Sequence, residues 1–560
     1  MTLTSAFDTL RHAAAVMTTT TTTTTTMYSS VRNNSATSSS SNTSRALSCS
    51  LKRRSGVERR PTRRRTVGVA ATDADDAFER LVATTTADGT TTVDPRLAIG
   101  AEEPDASGLI GVVAREFIPA GTAVIQRTNA APAYDAVYAR SDDTFGAAAA
   151  ISAHEGEVGR LVSDDVAMGL MLVLAARHSD VAPLGAYAQA LPKNTADTPC
   201  LYRDEALEAL VPVLSLNFVD QVDVARGEFA LAFEDCRAIM SRISSSGGGQ
   251  HEVPLTEDEF AWSWSMVRSR AITFAVRKAS TGEIERKRCL VPVCDVLNHS
   301  PTSLSEDGSD GPNVRIETDG ESLTSWTLTR DVRAGEALRW TYGELSNEEM
   351  WMWYGFVPEN PIHGDSSVVF NLPDTVFENG LNALAKDDKD ETRALRRQLL
   401  RRSGVIGLNE GEELSFVITA RQPAKVLGGI AAVMCCTADE VVAIAASTVI
   451  SANGGGDGAL FSLDPESRRR AGRYVAWLLT QVEAFVCGSN EEEIAQLETM
   501  AGDVGDDFAR RFETAKRTRA GAKGTFSIAQ NWLTDEALLS DGTWVDEAAK
   551  LLVSGSKGKA

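Results

Sequence analysis

Cationic charge, paired cysteines, histidine and long apolar runs are all scarce in this chain. Its 560 residues hold 56 Lys and Arg against 77 Asp and Glu, a net charge of −21. Nucleic acid is held by clustered cations against phosphate, so this balance argues against a DNA or RNA partner. The eight cysteines (Cys49, Cys200, Cys236, Cys289, Cys294, Cys435, Cys436 and Cys487) form no CxxC or CxC pair, and the six histidines are scattered. A structural zinc site takes four ligands, usually in close pairs, so no metal is expected. No apolar stretch reaches the roughly 18 residues that span a bilayer. The longest candidate, 433–450, is interrupted by Thr437, Asp439 and Glu440. No membrane partner is expected.

What the chain does have is length and a 43% hydrophobic content, enough for two or three domains with buried cores. Its charge is uneven. Residues 1–72 carry eleven Lys and Arg against only Asp8 and Glu58, and are crowded with Ser and Thr, including the run 18–26. So few apolar side chains cannot offset chain entropy, and disorder is expected there. An Arg-rich, Ser/Thr-rich, acid-poor leader is the composition of an organelle transit peptide. The small residues of 67–71 after the basic cluster 59–65 point to the chloroplast. Mitochondrial, nuclear and cytosolic locations remain alternatives, since Arg63-Arg64-Arg65 also reads as a nuclear-localisation patch.

The pattern then predicts a linker over 73–96, followed by two short β runs in 108–122 divided by Pro119-Ala120-Gly121. From Asp164 the periodicity is helical, with Met168, Met171, Leu172 and Ala175 on one apolar face. A further helix is expected over 257–270, with Phe260, Trp264 and Val267 toward the core. A surface loop is expected over 244–249. Past Pro361 the chain reads as helical throughout. One helix runs 384–402 and stops at Gly404, another carries Val475, Leu478, Leu479, Val482, Phe485 and Val486, and a capping box starts at Ser489 with Glu492.

Two short stretches carry the functional signal. The first is CDVLNHS (294–300); the second is GEALRWTYG (335–343), in which Gly335, Glu336, Leu338 and Tyr342 stand as GExLxxxY. In this order, and about forty residues apart, they resemble the two halves of the SET methyltransferase active site. The helical stretch between the β run and NHS, and the helical C-terminus, resemble the Rubisco large-subunit lysine methyltransferase branch of that family. The Cys-rich zinc clusters of many histone-directed SET enzymes are missing. The resemblance implies an α+β fold: a SET β-fold with a pseudoknot over 97–360, a helical insertion at about 130–288, and an all-α, substrate-binding-like domain over 361–553 ahead of a tail at 554–560.

The same resemblance assigns roles. Tyr342 is the expected catalytic tyrosine, its hydroxyl directed at the transferring methyl. Gly108, Ile110, Arg270, Asn298 and His299 are expected to hold the cofactor, S-adenosyl-L-methionine, with the Arg270 guanidinium on its carboxylate. Asp295 is expected at the substrate channel or holding the pseudoknot, Tyr354 at the substrate channel, and Ser346-Asn347 and Asn360-Pro361 as cap and turn residues. Methyl transfer to nitrogen needs alignment and a neutral amine; near-attack positioning alone supplies roughly 7–11 kcal/mol. The partner is then a protein presenting a lysine to a monomeric, non-histone, plastid protein-lysine N-methyltransferase, with Rubisco large subunit or aldolase as the type of target. Relatives place an aromatic shortly after NHS, where this chain offers Asn313 or Val314. A protein-histidine methyltransferase therefore stays open, as does a catalytically silent SET scaffold.

Overall fold

The computed structural model describes residues 71–101, 110–128, 131, 133–141, 144–178, 183–246, 253–277, 284–304, 311–318, 323–409, 412–420, 425–452, 462–488, 491–534 and 545. Most of the leader, the tail, Gly108, Ser489 and much of the acidic loop after NHS lie outside them.

The first described element is helix α1 (Ala71–Thr86), followed by strand β1 (Thr91–Val93). The stretch expected as a linker is therefore structured. Phe78 and Leu81, three residues apart, are buried together in the main core. Strands β2 (Leu97–Ala101), β3 (Ile110–Ala114) and β4 (Ala123–Thr128) come next. The two β runs exist, with Gly121 left-handed (φ 79°) in the turn between them, yet they are not partners. β3 pairs with β2, and β4 pairs with β1. The turn diverts because Ile118, fully buried, exchanges backbone hydrogen bonds with Val332.

A short strand β5 (Tyr134–Asp135) leads into the helical insertion: α2 (Ala136–Ser141), α3 (Ala147–Val158), α4 (Asp164–Arg177), α5 (Leu184–Ala190), α6 (Asp204–Glu208), α7 (Leu216–Ser246) and α8 (Glu257–Arg270). Helix α4 is buried all round from Asp165 to Ala175, so the expected stripe of four is part of a fully enclosed helix. Ser244 continues α7 instead of opening a loop. Helix α8 begins with a capping box between Thr256 and Glu259, and buries Phe260, Trp264 and Val267.

The chain returns to β structure with β6 (Ile272–Arg277), β7 (Ile284–Leu290), β8 (Asn298–His299), β9 (Val314–Thr318), β10 (Leu323–Leu328) and β11 (Arg339–Trp340). One sheet has the order β1-β4-β10-β9 and a second β5-β7-β6. β8 and β11 run parallel, Arg339 opposite Asn298 and Trp340 opposite His299. A parallel pair needs a long crossover, so the two motif stretches meet only after the chain has built β9 and β10 between them. Helix α9 (Asn347–Tyr354) follows, capped by Ser346 and Glu349 and ended by Gly355 at φ 80°.

The C-terminal region is helical with one addition, an antiparallel pair of β12 (Ser367–Pro373) and β13 (Glu413–Thr419). Val368, Phe370 and Leu372 are buried on one side, the period-2 pattern of a half-buried strand. Helix α10 (Asp374–Leu384) ends where the sequence pattern starts its 384–402 helix, and α11 (Asp390–Arg402) begins six residues later than expected. The Arg393 guanidinium takes the carbonyls of Ala385, Lys386 and Asp388, which a continuous helix would offer to its own backbone. Gly404 is left-handed after α11 (φ 69°), as a helix stop requires. Helices α12 (Lys425–Cys435), α13 (Ala438–Ala452), α14 (Pro465–Val486), α15 (Glu491–Val504) and α16 (Asp506–Thr534) follow; on α14 the expected apolar stripe is buried except Phe485, which is exposed.

Three cores result. One fills the β sheets and insertion, one the C-terminal helices, and a third joins them, with Phe218 and Trp351 packed with Ile494 and Phe512. All seven described cysteines are unpaired and buried among these cores. Among the described residues no helix is long and apolar enough to cross a membrane, and no three potential ligands gather around a metal position.

Candidate active site

Tyr342 lies two residues beyond β11, against the end of β8. Its backbone N–H donates to Nδ1 of His299 at 3.1 Å, and its hydroxyl donates to the Leu297 carbonyl at 3.0 Å. Both motif stretches therefore hold the same tyrosine. With Nδ1 accepting, the His299 proton belongs on Nε2, which is buried and has no hydrogen-bond partner among the described residues. Burial, helped by nearby His363 and opposed by Asp365, pushes the His299 pKa down to about 4. The ring is neutral at pH 7 and a weak base.

Helix α9 brings Tyr354 face to face with Tyr342, ring centroids 4.8 Å apart at 29°. Trp340 closes another side edge-on at 5.8 Å, and His299 lies 5.1 Å away. The result is an aromatic-walled corner with one phenol committed to a carbonyl. Burial raises the Tyr354 pKa, so its hydroxyl stays protonated.

Opposite, a 3₁₀ turn at Cys294–Val296 carries Asp295. The turn is entered through Val293, whose φ of 71° makes it the only non-glycine in the left-handed region among the described residues. A β-branched residue there costs on the order of 1–3 kcal/mol, so the surrounding packing must impose it. The strained turn points the Asp295 carboxyl inward. Its Oδ2 accepts from the Tyr187 hydroxyl of α5, while Oδ1 is buried with no partner among the described residues. Burial raises its pKa to about 6 despite Arg270 and the Tyr187 hydrogen bond. Arg270, the last residue of α8, donates from Nη1 to the Asp295 carbonyl at 2.7 Å, and its Nε is likewise buried and unpaired among the described residues.

Tyr342, Tyr354, Arg270 and Asp295 all line one cavity of about 550 Å³. Of the other expected site residues, Asn298 and His299 form β8 behind Tyr342 and do not line it. Ile110 starts β3, and Gly108 lies outside the described residues. Asn313 is not a cavity wall. It is buried, its Nδ2 donating to the Ala337 carbonyl and its Oδ1 accepting from the Arg339 N–H, each at 2.8 Å. It clips β11 in place, and Ile316 lines the cavity instead. Val314 is buried in the core. The feature that left an imidazole substrate open is thus a structural clip.

Sequence reasoning missed a charged rim. Asp165 at the start of α4 binds both Arg268 (2.8 Å) and Arg288 of β7, and all three line the cavity. The Arg268 guanidinium is sandwiched between Trp264 and Trp353, 4.3 and 4.6 Å from the two rings. Only the SMVRSR spelling at 265–270, two arginines flanking a serine, hints at it. A second concavity of about 430 Å³ follows Arg393, Arg397, Arg401 and Arg402 along α11, far along the chain from these groups.

No family model matches the chain. A curated relative, the chloroplastic [fructose-bisphosphate aldolase]-lysine N-methyltransferase of Arabidopsis thaliana, is 24% identical over 231 residues, 40% of this chain and 44% of the relative. The chain thus spans under half the length of that relative. Among solved structures, the SET domain of LSMT bound to MeLysine and AdoHcy is similar at TM-score 0.48 and 16% identity, covering 86% of this chain and 97% of that one. Rubisco LSMT bound to sinefungin and monomethyllysine is similar at TM-score 0.49 and 16% identity, over 87% and 97%.

Proposed function

We propose that this chain, which resembles SET-domain protein methyltransferases of the Rubisco large-subunit branch, is an S-adenosylmethionine-dependent protein-lysine N-methyltransferase acting on a non-histone plastid protein. The observation that carries the reading is the convergence of both motif stretches on Tyr342 beside one cavity lined by Tyr354, Arg270 and Asp295. The aldolase-directed activity named for the Arabidopsis relative supports the lysine and the plastid target, as does the basic leader.

The residues fit the cofactor. A guanidinium with an unspent buried Nε suits a carboxylate. Asn298 and His299, expected on the cofactor, stand behind Tyr342 and do not line the cavity, so Arg270 carries this fit. The cavity volume is within the usual range for a ligand of that size. When bound, the cofactor supplies an electrophilic methyl on a positively charged sulfur.

The protein's own groups do the rest. The aromatic corner removes water from an incoming lysine, which favours the neutral amine over the ammonium. Arg268, Arg270 and Arg288 outnumber Asp165 and Asp295 around the cavity and push the same way. Tyr342, held from both strands, presents one polar tip on a fixed ring for orienting the amine.

The decisive experiment incubates the protein with isotope-labelled cofactor and plastid extract, then maps the label by mass spectrometry. Label on a lysine side chain of an aldolase-type or Rubisco large-subunit protein is expected. Label on histidine, or no transfer to any protein, would overturn the reading.

A further inference from the structure

Helix α9 carries Tyr354 into the site, and its Trp351 is tied through Tyr202 to a residue from the far end of the chain. Arg511 of α16 bonds Asp197 through Nε at 2.9 Å, and Arg510 takes the other carboxylate oxygen at 3.0 Å. The Arg511 guanidinium also lies flat over Tyr202, 4.0 Å from the ring centroid. Tyr202 donates its hydroxyl to the Asp197 carbonyl at 3.0 Å and accepts from Nε1 of Trp351 at 3.2 Å. Trp351 is one turn before Tyr354 on α9, almost fully buried and stacked on Phe218.

The same loop presses on the helix end. A Cβ at Gly355 would stand 2.7 Å from the Asp197 nitrogen, so the Asp197 backbone is seated directly against the cap next to Tyr354. Ala196 in that loop donates to Ser265 of α8, the helix that ends in Arg270.

We infer that Arg511 is a positioning residue for Tyr354: by fixing Asp197 and Tyr202 it sets where α9 ends, and so where the Tyr354 ring stands against Tyr342. The C-terminal helices then shape the site's wall as well as offering a surface. This rests on the functional reading only for its kinetic consequence, since the linkage is structural. Arg511 touches none of the cavity-lining groups, and Tyr202, Asp197 and Trp351 lie between them.

Hydrogen–deuterium exchange on the full chain tests the linkage without any substrate, comparing the native protein with Arg511→Ala, Arg511→Lys and Tyr202→Phe. Tyr202→Phe keeps the ring under the guanidinium and removes only the hydroxyl relay, which protects the test against a variant that fails to fold. Both Arg511→Ala and Tyr202→Phe are expected to speed exchange at 350–355 about tenfold while leaving β12, β13 and α14 unchanged. With aldolase as acceptor, Arg511→Ala is expected to lower kcat about tenfold, because a sub-ångström to ångström misplacement is felt directly by aligned transfer. Calorimetric affinity for S-adenosylhomocysteine should stay within about twofold, and Arg511→Lys should restore part of kcat.

Unchanged exchange at 350–355 in both variants would overturn the inference. So would loosening spread evenly over the chain, which is what a merely structural contact gives. Faster exchange confined to 350–355 in a protein that binds no S-adenosylhomocysteine would uphold the linkage and remove the functional reading.

Discussion

Tyr342 and Asp295 show how much one side chain can be made to depend on its surroundings. The Tyr342 hydroxyl is held by a backbone carbonyl, a bond worth about 1 kcal/mol net, so Tyr342→Phe should leave folding nearly intact. Turnover should nonetheless fall about 100-fold or more, as when one preorganised polar group is removed from a transition state. The check is cofactor turnover against calorimetric S-adenosylhomocysteine binding in the same variant; unaltered turnover would exclude Tyr342 from the chemistry. Asp295 gives a pH signature. Its pKa is raised from the ordinary 3.8 to about 6 in the folded protein, so folding takes up a proton between those values. The contribution is fully present below about pH 4 and is lost as pH rises through about 6. Asp295→Asn keeps an acceptor for Tyr187 but does not titrate. Its melting temperature relative to the native protein should therefore be higher at pH 8 than at pH 4.5, and an equal difference at both would refute the burial account. His299 works in the opposite sense: its stabilising contribution is present above about pH 6.5 and lost as pH falls through about 4. Tyr342 and Asp295, which the structure brings to one cavity, each stand in a short local pattern that singles them out in the sequence. Arg268 and Arg288 were not legible, since their shared partner Asp165 is more than a hundred residues away in sequence.

Elements were legible where a period ran unbroken and illegible where tertiary contacts cut it. Helix α8 and its buried aromatics follow from spacing alone. The break between α10 and α11 does not, because it depends on Arg393 capturing three carbonyls. The β2–β3 pairing was hidden for a related reason: strand partners are set by where Ile118 meets Val332, not by the turn between adjacent runs. Helix α9 combines a capping box at one end with a glycine stop at the other in only eight residues. A helix this short has little stability of its own, so its cap matters. Ser346→Ala should destabilise the protein by about 1 kcal/mol, measurable as a shift in urea midpoint at constant m-value, and should loosen Tyr354 more than any residue of the sheets.

At the scale of the whole molecule the motif-bearing region and the C-terminal helices are not separable. A Cβ at Gly521 of α16 would collide with the Asn347 side chain and stand 2.6 Å from the Pro361 carbonyl, so the long last helix lies directly on the start of α9. The third core adds Ile494, Phe508 and Phe512 beneath Trp351. Burying each such side chain is worth about 1.5–3 kcal/mol. A fragment of residues 71–360 should therefore lose several kcal/mol, expose Trp351 as a red shift in fluorescence, and bind a hydrophobic dye. A fragment melting like the full chain would contradict a shared core. The resemblance placed the border near 360, where the chain turns helical; the buried contacts cross it.

The buried thiols turn that layout into a recording device. Cys289 belongs to the first core, Cys200 to the joining one, and Cys435, Cys436 and Cys487 to the C-terminal one. Burial pushes Cys289, Cys435 and Cys487 up to about 12 and Cys436 to about 11, so each is both shielded and protonated at neutral pH. Alkylation at these sites must wait for the surrounding core to open. Pulsed labelling in rising urea, read peptide by peptide, would time-stamp the three cores separately with no foreign probe introduced. If the cores are as interlocked as α9 and α16 make them, Cys200 should become reactive together with whichever neighbour yields first.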